Sequence, residues 1–271
     1  MQKRVRQIVL LFEFGTLQGG ERSMLAVVQW LRANTDGWRF AALAPPTGLL
    51  AEALAVAGIE HVPFCVRDER GERLPKEQVA SSLATAVGPL RADLLHANSV
   101  AMGRLAGAAA PRLSLPTVAH LRDIVRLSRR AIENLNQNRM LIAVSQAARW
   151  FHVSQGVDER KVRVLYNGVD CDRFRPRPAT GWLRRRLALG AEAFLIGTVG
   201  QICLRKGQDV LARAAPKVVD RVPTAHFILV GERYSRKPES REFERTLRES
   251  FKRAGLGDHL HELGYRQDVP Q

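Results

Sequence analysis

The hydrophobic positions of the chain fall into short runs, separated by longer segments in which apolar residues recur every three or four positions. Short apolar runs are typical of buried strands, and the longer period is typical of amphipathic helices. Strands that alternate with helices predict βαβ units and parallel sheets, so we expect an α/β fold. The predicted strands of the first part are 7–12, 39–43, 60–64, 93–97, 117–121, 140–144 and 162–166, with helices at 21–33, 48–57, 76–90, 99–109, 124–137 and 146–154.

This alternation is interrupted at DCDRFRPRPATG, residues 170–181, which contains two prolines, three arginines and no apolar period. We interpret the segment as a linker and predict a first Rossmann-like domain at 1–178 and a second domain at 179–271. The second alternation contains only three strands, and an unpaired apolar strand edge is a liability, so we expect this second lobe to be incomplete. Its predicted strands are 194–200, 225–231 and 260–264, with helices at 180–189, 207–221 and 239–254.

The formal charge of +15 comes mostly from arginine, with 35 arginines against 7 lysines. Residues 122–186 hold 15 basic and 6 acidic side chains. Such a surface attracts nucleic acid, anionic lipid or phosphorylated ligands, although a solvated basic surface without a partner is an equal alternative. Only 6% of the residues are aromatic, and the chain has no helix-turn-helix, zinc-finger or RRM signature, so nucleic-acid binding is a remote hypothesis.

Three further features limit the class of protein. No apolar run approaches the roughly 18 residues of a transmembrane helix, and the N-terminal run is more typical of a first strand than of a signal peptide. The three cysteines, Cys65, Cys171 and Cys203, are scattered, which favours a reducing cytoplasm. Asp170 and Asp172 have the spacing of a metal motif but no nearby third ligand, so we expect neither a metal nor another cofactor.

Two loops have the composition of anion-binding sites. In open parallel sheets, ligands bind outside the carboxyl ends of the strands, where helix N-termini favour negative groups. Gly19 and Gly20 follow the first strand of the first lobe, and they would let backbone N–H groups approach a phosphate or sugar. GQICLRKG, residues 200–207, follows the first strand of the second lobe and includes Lys206. The two loops therefore hold equivalent positions in their lobes.

Several segments together resemble the family 4 glycosyltransferases of the two-lobed GT-B fold. They are GGER (19–22), LLHANS (94–99), TVAHLRD (117–123), IAVSQAAR (142–149), KVRVLYNGVDCDRFRP (161–176), IGTVGQICLRKGQDVL (196–211) and FILVGER (227–233). The resemblance covers nearly the whole chain, and LYNGVD together with RKGQDVL carries it most specifically. It implies transfer of a sugar from a nucleotide-sugar to a glycan or lipid-linked acceptor, with retention of anomeric configuration and without a metal.

The resemblance also implies roles for particular residues. In the second lobe, Lys206 matches a lysine that binds the donor diphosphate, while the neighbouring arginine position of the family is taken by Gln201. The residues of this loop that we assign to donor phosphate are Gly200, Gln201, Arg205 and Lys206.

Three further assignments follow from the same resemblance. His120 matches a histidine near the transferred sugar; without the family context it would be interpreted as a strand-end histidine bonded to backbone, and His96 has the same ambiguity. Gly19 and Gly20 match a glycine loop beside acceptor and phosphates. Tyr265 and Arg266 match the rim of the nucleotide base, with an exposed turn as the alternative.

The chain departs from the family pattern at one important place. The family has a pair of glutamates, E-x7-E, that hold the sugar hydroxyls and ribose of the donor, and their position lies downstream of residue 271. We therefore expect a shortened chain in which about half of the donor pocket is absent, and a non-catalytic remnant that keeps the acceptor-side lobe is the alternative hypothesis. The arginines of 123–139 predict peripheral contact with anionic lipid at the inner membrane face.

Overall fold

The computed structural model describes residues 5–235, 237–266 and 268–270. The chain divides into two compact units, Met1–Gly168 and Val169–Gln271. The predicted alternation of strands and helices is confirmed in both units. The segment 169–178, which we assigned to the first domain as a linker, is grouped here with the second unit, and the boundary after residue 178 stays a prediction.

The first unit is built on a seven-stranded parallel sheet with the strand order β3-β2-β1-β4-β5-β6-β7. Its strands are β1 (Arg6–Leu11), β2 (Trp38–Ala44), β3 (Glu60–Pro63), β4 (Leu94–Ala97), β5 (Thr117–Leu121), β6 (Met140–Ala143) and β7 (Val162–Val164). Its helices are α1 (Gly19–Asn34), α2 (Leu49–Val56), α3 (Lys76–Val87), α4 (Val100–Ala109), α5 (Arg129–Asn136) and α6 (Gln146–Ser154).

Side chains of β1 alternate between two hydrophobic cores, because successive residues of a strand point to opposite faces of the sheet. Val9 and Leu11 belong to a core that includes residues of α3, α4, α5 and α6. Leu10 and Phe12 belong to a second core with residues of α1 and α2. Both faces of this sheet are therefore covered by helices, as the nearly continuous apolar strands predict.

The second unit has a three-stranded parallel sheet with the order β10-β9-β8. Its elements are α7 (Trp182–Arg186), β8 (Phe194–Val199), α8 (Gln208–Arg221), β9 (Ala225–Val230), α9 (Pro238–Arg253) and β10 (Leu260–Gly264). A small core joins this sheet to α8 and α9, and Phe227 and Phe251 are its largest fully buried side chains. None of the helices in the described part of the chain has the length and apolar character needed to cross a membrane.

One predicted helix begins later than the sequence suggested. The prediction placed a helix over 124–137, whereas α5 begins at Arg129, after Ser128, whose hydroxyl accepts a hydrogen bond from the Ala131 N–H. The segment before it is held by Gln155, which directly follows α6 and accepts from the Leu127 N–H at 2.8 Å. Because this distant side chain satisfies the Leu127 N–H, that backbone group does not need a helical partner.

Candidate functional site

Two histidines lie side by side at the carboxyl ends of β4 and β5. These strands are parallel neighbours, and their register pairs His96 with Val118, so that His120 lies two residues further along on the same face. The planes of the two rings are nearly parallel, with an angle of 12° between them and 4.9 Å between the ring centroids. Nε2 of His96 lies 2.9 Å from Nδ1 of His120, which is hydrogen-bonding distance. The structure thus gives His120, our candidate near the transferred sugar, a specific side-chain partner.

Burial and a neighbouring cation keep both histidines uncharged near neutral pH. Burial, followed by the charge of Arg122, lowers the pKa of His96 to about 4. Burial, then Arg122 and then His96, lower the pKa of His120 to about 2. A neutral imidazole has one N–H and one lone pair, so each ring offers both a donor and an acceptor. The pair can therefore hold polar groups of a sugar by hydrogen bonds but contributes no charge.

Arg122 organises the same edge of the sheet. Its Nε donates to the carbonyl of Asn98 at 3.0 Å, and its Nη2 donates to the Asn98 side-chain oxygen at 2.8 Å. Its Nη1 donates to Oδ1 of Asn167 at 3.0 Å, and the Ser23 hydroxyl donates to the same oxygen. Burial lowers the pKa of the Arg122 guanidinium, while Glu21 and Asp123 raise it. The network joins loops after β4, β5 and β7 to α1.

The predicted glycine pair forms the first two residues of α1, in contact with this network. An added Cβ on Gly20 would lie 3.3 Å from Cδ of Arg122, so a larger residue would press on the arginine. The same atom on Gly19 would meet open space. Gly20 therefore has a packing role, whereas Gly19 leaves the helix N-terminus uncovered. A capping box binds the Gln18 N–H to the Glu21 carboxylate and the Glu21 N–H to the Gln18 side chain. The backbone of Gly19 and Gly20 between them is the part that suits a phosphate or a sugar hydroxyl.

Glycines also end all three strands of the second unit. Gly200, Gly231 and Gly264 have φ angles of 152°, 135° and 65°, which side-chain-bearing residues rarely adopt. The Gly200 N–H donates to the Val230 carbonyl, and the Gly231 N–H donates to the Gly264 carbonyl, each at 2.8 Å. The carboxyl edge of this sheet is thus lined by backbone rather than by side chains, which lets a ligand approach it closely.

The loop 200–207 joins β8 to α8 and contains the predicted phosphate-binding residues. Lys206 is exposed, and its Cε would lie 3.8 Å from a Cβ added to Gly200, so its side chain passes over that glycine. Arg205 is also exposed, and Gln201 is half-buried. Gly207, with a φ of 72°, precedes the first residue of the 14-residue helix α8. An ammonium and a helix N-terminus therefore lie in one short loop, and both favour an anion.

Gln208, which we did not single out in the sequence, holds this loop in shape. The residue is 2% exposed. Its side-chain amide donates to the Gln201 carbonyl at 3.0 Å, and its side-chain oxygen accepts from the Cys203 N–H at 3.4 Å. Two backbone groups of the loop are thus bound by one buried side chain. Its position in RKGQ, just inside the helix, was the available signal, because polar residues in the first turn often bind preceding backbone groups.

Tyr265 and Arg266, the predicted rim of the nucleotide base, follow β10. Tyr265 is 44% exposed. The Arg266 guanidinium lies 4.9 Å from the ring centroid of Trp182, and its Nε donates to Asp268 at 2.8 Å. This hydrogen bond lowers the pKa of Asp268. Arg266 is therefore engaged within its own unit, and the ring of Tyr265 has the more accessible surface of the two.

Asp170, the first residue of the rejected metal motif, has a local role. Its Oδ1 accepts from the N–H groups of Asp172 at 3.0 Å and Arg173 at 2.9 Å, the pattern of a turn closed by an aspartate. Asn98 and Asn167 were not predicted as site residues from the sequence. Asn98 follows a strand directly, which is the signal that could have identified it, since such positions meet at the carboxyl edge of a parallel sheet.

Comparison with known proteins identifies glycosyltransferases among the proteins that this chain is similar to. A sequence model of Glycosyltransferase Family 4 matches residues 17–173. The D-inositol 3-phosphate glycosyltransferase of Thermomonospora curvata is 28% identical over 218 residues, which are 69% of this chain and 49% of that protein. A GDP-mannose-dependent alpha-(1-6)-phosphatidylinositol monomannoside mannosyltransferase of Mycobacterium tuberculosis is 36% identical over 94 residues, 34% of this chain and 22% of that protein. The chain spans about half the length of the first of these relatives, and less of the second.

Solved structures agree with these relatives on the fold. The crystal structure of Anabaena HepE in complex with UDP-glucose matches with a TM-score of 0.79 at 24% identity, over 97% of this chain and 70% of that one. The glycosyltransferase of Rickettsia africae matches with a TM-score of 0.76 at 18% identity, over 98% of this chain and 70% of that one. The fold is that of the GT-B glycosyltransferases. Since the family model covers more than half of the residues, the chain belongs to glycosyltransferase family 4.

Proposed function

We propose that the protein transfers a sugar from a nucleotide-sugar donor to a glycan or lipid-linked acceptor, with retention of anomeric configuration. The observation that carries this proposal is the loop 200–207, where Lys206 and the N-terminus of α8 follow a strand that ends in glycine. The similarity to HepE, which was crystallised with UDP and with UDP-glucose, supports a nucleotide-sugar donor. The relative that acts on phosphatidylinositol monomannoside supports a lipid-linked acceptor.

In this proposal the second unit stabilises the leaving group. When the bond between the sugar and the diphosphate breaks, its electron pair goes to a phosphate oxygen, and negative charge develops there. Lys206 supplies a full positive charge and the N-terminus of α8 a partial one, and both are in place before the reaction. Gln201, at the position where the resemblance places an arginine, supplies an uncharged amide, and the adjacent Arg205 is the cation that would substitute for that arginine.

The first unit then supplies contacts to the sugar and the acceptor. His120 contacts the transferred sugar, and its depressed pKa makes that contact an uncharged hydrogen bond. Gly19, at the open start of α1, lets a phosphate or sugar approach the backbone. The three cysteines are free, which suits a reducing cytoplasm, where we place the reaction.

Replacing Lys206 with alanine should weaken the binding of UDP or GDP by about 10-fold or more, because a charge-assisted hydrogen bond contributes about 1.5–3 kcal/mol. Titration calorimetry with both nucleotides on the wild-type chain and on Lys206→Ala is the measurement. Lys217→Ala is the matched control, since Lys217 is an exposed lysine further along α8. Binding that is equal in Lys206→Ala, or no binding of either nucleotide to the wild type, would contradict the assignment of the loop.

We also propose that the basic surface around α5 contacts anionic lipid at the inner face of the membrane. Ile124 and Val125 are 53% and 41% exposed in the segment before α5. Arg126 is exposed beside them, whereas Leu127 packs against the core. The side chain of Arg129 is 94% exposed, and it pairs with Glu133 in its own helix. Two apolar side chains among arginines suit the interface of an anionic bilayer.

The wild-type chain should sediment with vesicles that contain phosphatidylglycerol, and added salt should weaken this binding, because each basic residue near the surface contributes about 1 kcal/mol. The double variant Ile124→Gln/Arg126→Gln should lose most of the binding. Val56→Gln is the control, since Val56 is 91% exposed on α2, outside this surface. Equal binding to neutral and anionic vesicles would show that the basic surface does not direct the contact.

A further inference from the structure

The hydrogen bond between His96 and His120 links the protonation of two rings. A hydrogen bond between two ring nitrogens needs an N–H on one and a lone pair on the other. The 2.9 Å separation of His96 Nε2 and His120 Nδ1 therefore requires exactly one proton between these atoms. If both rings are neutral, the position of this proton also determines whether the other nitrogen of each ring carries a proton.

Charge at this point of the structure is unfavourable. His120 is 8% exposed and His96 is half-buried, and the guanidinium of Arg122 lies on the loop directly after β5. Glu21 of α1 and Asp123 are the acidic groups that act on that guanidinium. A cation placed on either ring would meet both desolvation and the charge of Arg122. Two neutral rings are thus the favoured state near neutral pH.

Two neutral rings can form this bond in only two ways. In the first, His96 carries its proton on Nε2 and donates it, so that His120 accepts at Nδ1 and carries its own proton on Nε2. In the second, His120 donates from Nδ1, and both rings carry their protons on Nδ1. The two rings therefore always share the same tautomer. The Nε2–H form is the intrinsically preferred tautomer of a neutral histidine side chain, and the first arrangement places both rings in it.

We propose that His96 is a positioning residue, which donates from Nε2 to Nδ1 of His120 and thereby holds His120 as an N–H donor at Nε2. The inference rests on the proposed role of His120 near the transferred sugar and deepens it. With its Nε2 protonated, His120 donates a hydrogen bond to a sugar oxygen and offers no lone pair there for a proton. The pair thus binds a hydroxyl or ring oxygen and does not act as a general base at Nε2.

The tautomer can be measured without a donor or an acceptor, by long-range ¹H–¹⁵N correlation on the full chain labelled with ¹⁵N-histidine. His120→Gln assigns the His120 signal among the seven histidines. We expect one set of His120 signals, protonated at Nε2 and unchanged between pH 8 and pH 5.5. A His120 proton on Nδ1 in the wild-type chain would overturn the inference. Since no nucleotide is added, this outcome is independent of whether the chain binds a donor.

Two variants separate positioning from a merely structural role. His96→Leu removes the donor, and the His120 signals should then show a mixture of tautomers. His96→Gln retains a side-chain N–H at similar reach, so it should restore the single Nε2–H form. Unchanged signals from His61 and His152, both of the same unit, show that each variant folds. A His120 tautomer that is identical in the wild type and in a folded His96→Leu would also overturn the inference.

Discussion

Lowering the pH from 7.5 to 5.0 should reduce the free energy of unfolding of the first unit by about 3–4 kcal/mol. The folded pKa values of His96 and His120, about 4 and about 2, lie below the unfolded value of 6.5. Below pH 6.5 the unfolded chain therefore binds protons that the folded chain does not. This part of the stability is complete above pH 6.5 and is lost as the pH falls from 6.5 towards 4. Each histidine contributes about 2 kcal/mol at pH 5.0 as an upper limit, because one pKa unit corresponds to about 1.4 kcal/mol.

Urea unfolding followed by tryptophan fluorescence measures this loss. Trp182→Phe is the background, because the remaining tryptophans, Trp30, Trp38 and Trp150, all belong to the first unit. The substitution also removes the tryptophan fluorescence of the second unit. This matters because burial lowers the pKa values of His226 and His261 there, so the second unit has a pH dependence of its own.

Two histidine variants in the same background identify the source of the loss. In the double variant His96→Asn/His120→Asn, at least half of the loss between pH 7.5 and 5.0 should disappear. His61→Gln, in the same unit but outside the pair, should retain it. A loss of equal size in the double variant would mean that the pair is not its source.

Replacing Gly231 with alanine should destabilise the second unit by about 3 kcal/mol and weaken the binding of UDP at least 10-fold. An alanine Cβ at this position would lie 2.0 Å from the Gly200 carbonyl oxygen, and the φ of 135° is one that alanine rarely adopts. The obstacle is backbone, so a side-chain rotation cannot relieve it. Gly200 must move, and Lys206 lies directly above it.

Hydrogen exchange read by mass spectrometry locates this effect, because it reports the opening free energy of each segment. We expect faster exchange in peptides that cover 194–211 and 225–231, and unchanged exchange in the first unit. Gly257→Ala is the control, because an added Cβ there meets nothing within 4 Å. Calorimetry with UDP tests the binding on the same samples. If Gly231→Ala exchanged hydrogen and bound UDP like the wild type, the loop 200–207 would tolerate the movement of Gly200, and the prediction would be wrong.

The roles that we propose for the two units follow from what the carboxyl edge of each sheet contains. The first unit has polar side chains at its carboxyl edge, including His96, His120 and Arg122. The second has glycines and one exposed lysine, Lys206, beside a helix N-terminus. Side chains distinguish hydroxyl patterns, whereas backbone and a point charge suit phosphate. We therefore expect variants of the first unit to change the choice of sugar or acceptor, and variants of the second to change diphosphate affinity.

The sequence by itself determined the order of the elements and the positions of the loops. Short continuous apolar runs report strands that are buried on both faces, and segments with a period near 3.6 report helices that are buried on one face; both patterns are local properties of the chain. The strands of both units, and the place of Lys206 at the start of α8, were therefore predictable. The late start of α5 was not, because Gln155, which binds the preceding backbone, is 28 positions away from Leu127.

Only the tertiary structure decided which side chains meet. His96 and His120 are 24 positions apart, and Arg122 and Asn167 are 45 apart. Their contacts depend on which strands are neighbours and on the register between those strands. The hydrophobic pattern of the sequence specifies neither the strand order nor the register. Arg266 is a second example of a contact that the sequence did not predict. Its position in the sequence predicted the rim of the nucleotide base, whereas its guanidinium stacks on Trp182 of α7. The sequence determined which loops could hold functional residues, and the pairing of strands decided which of those residues lie together in one site.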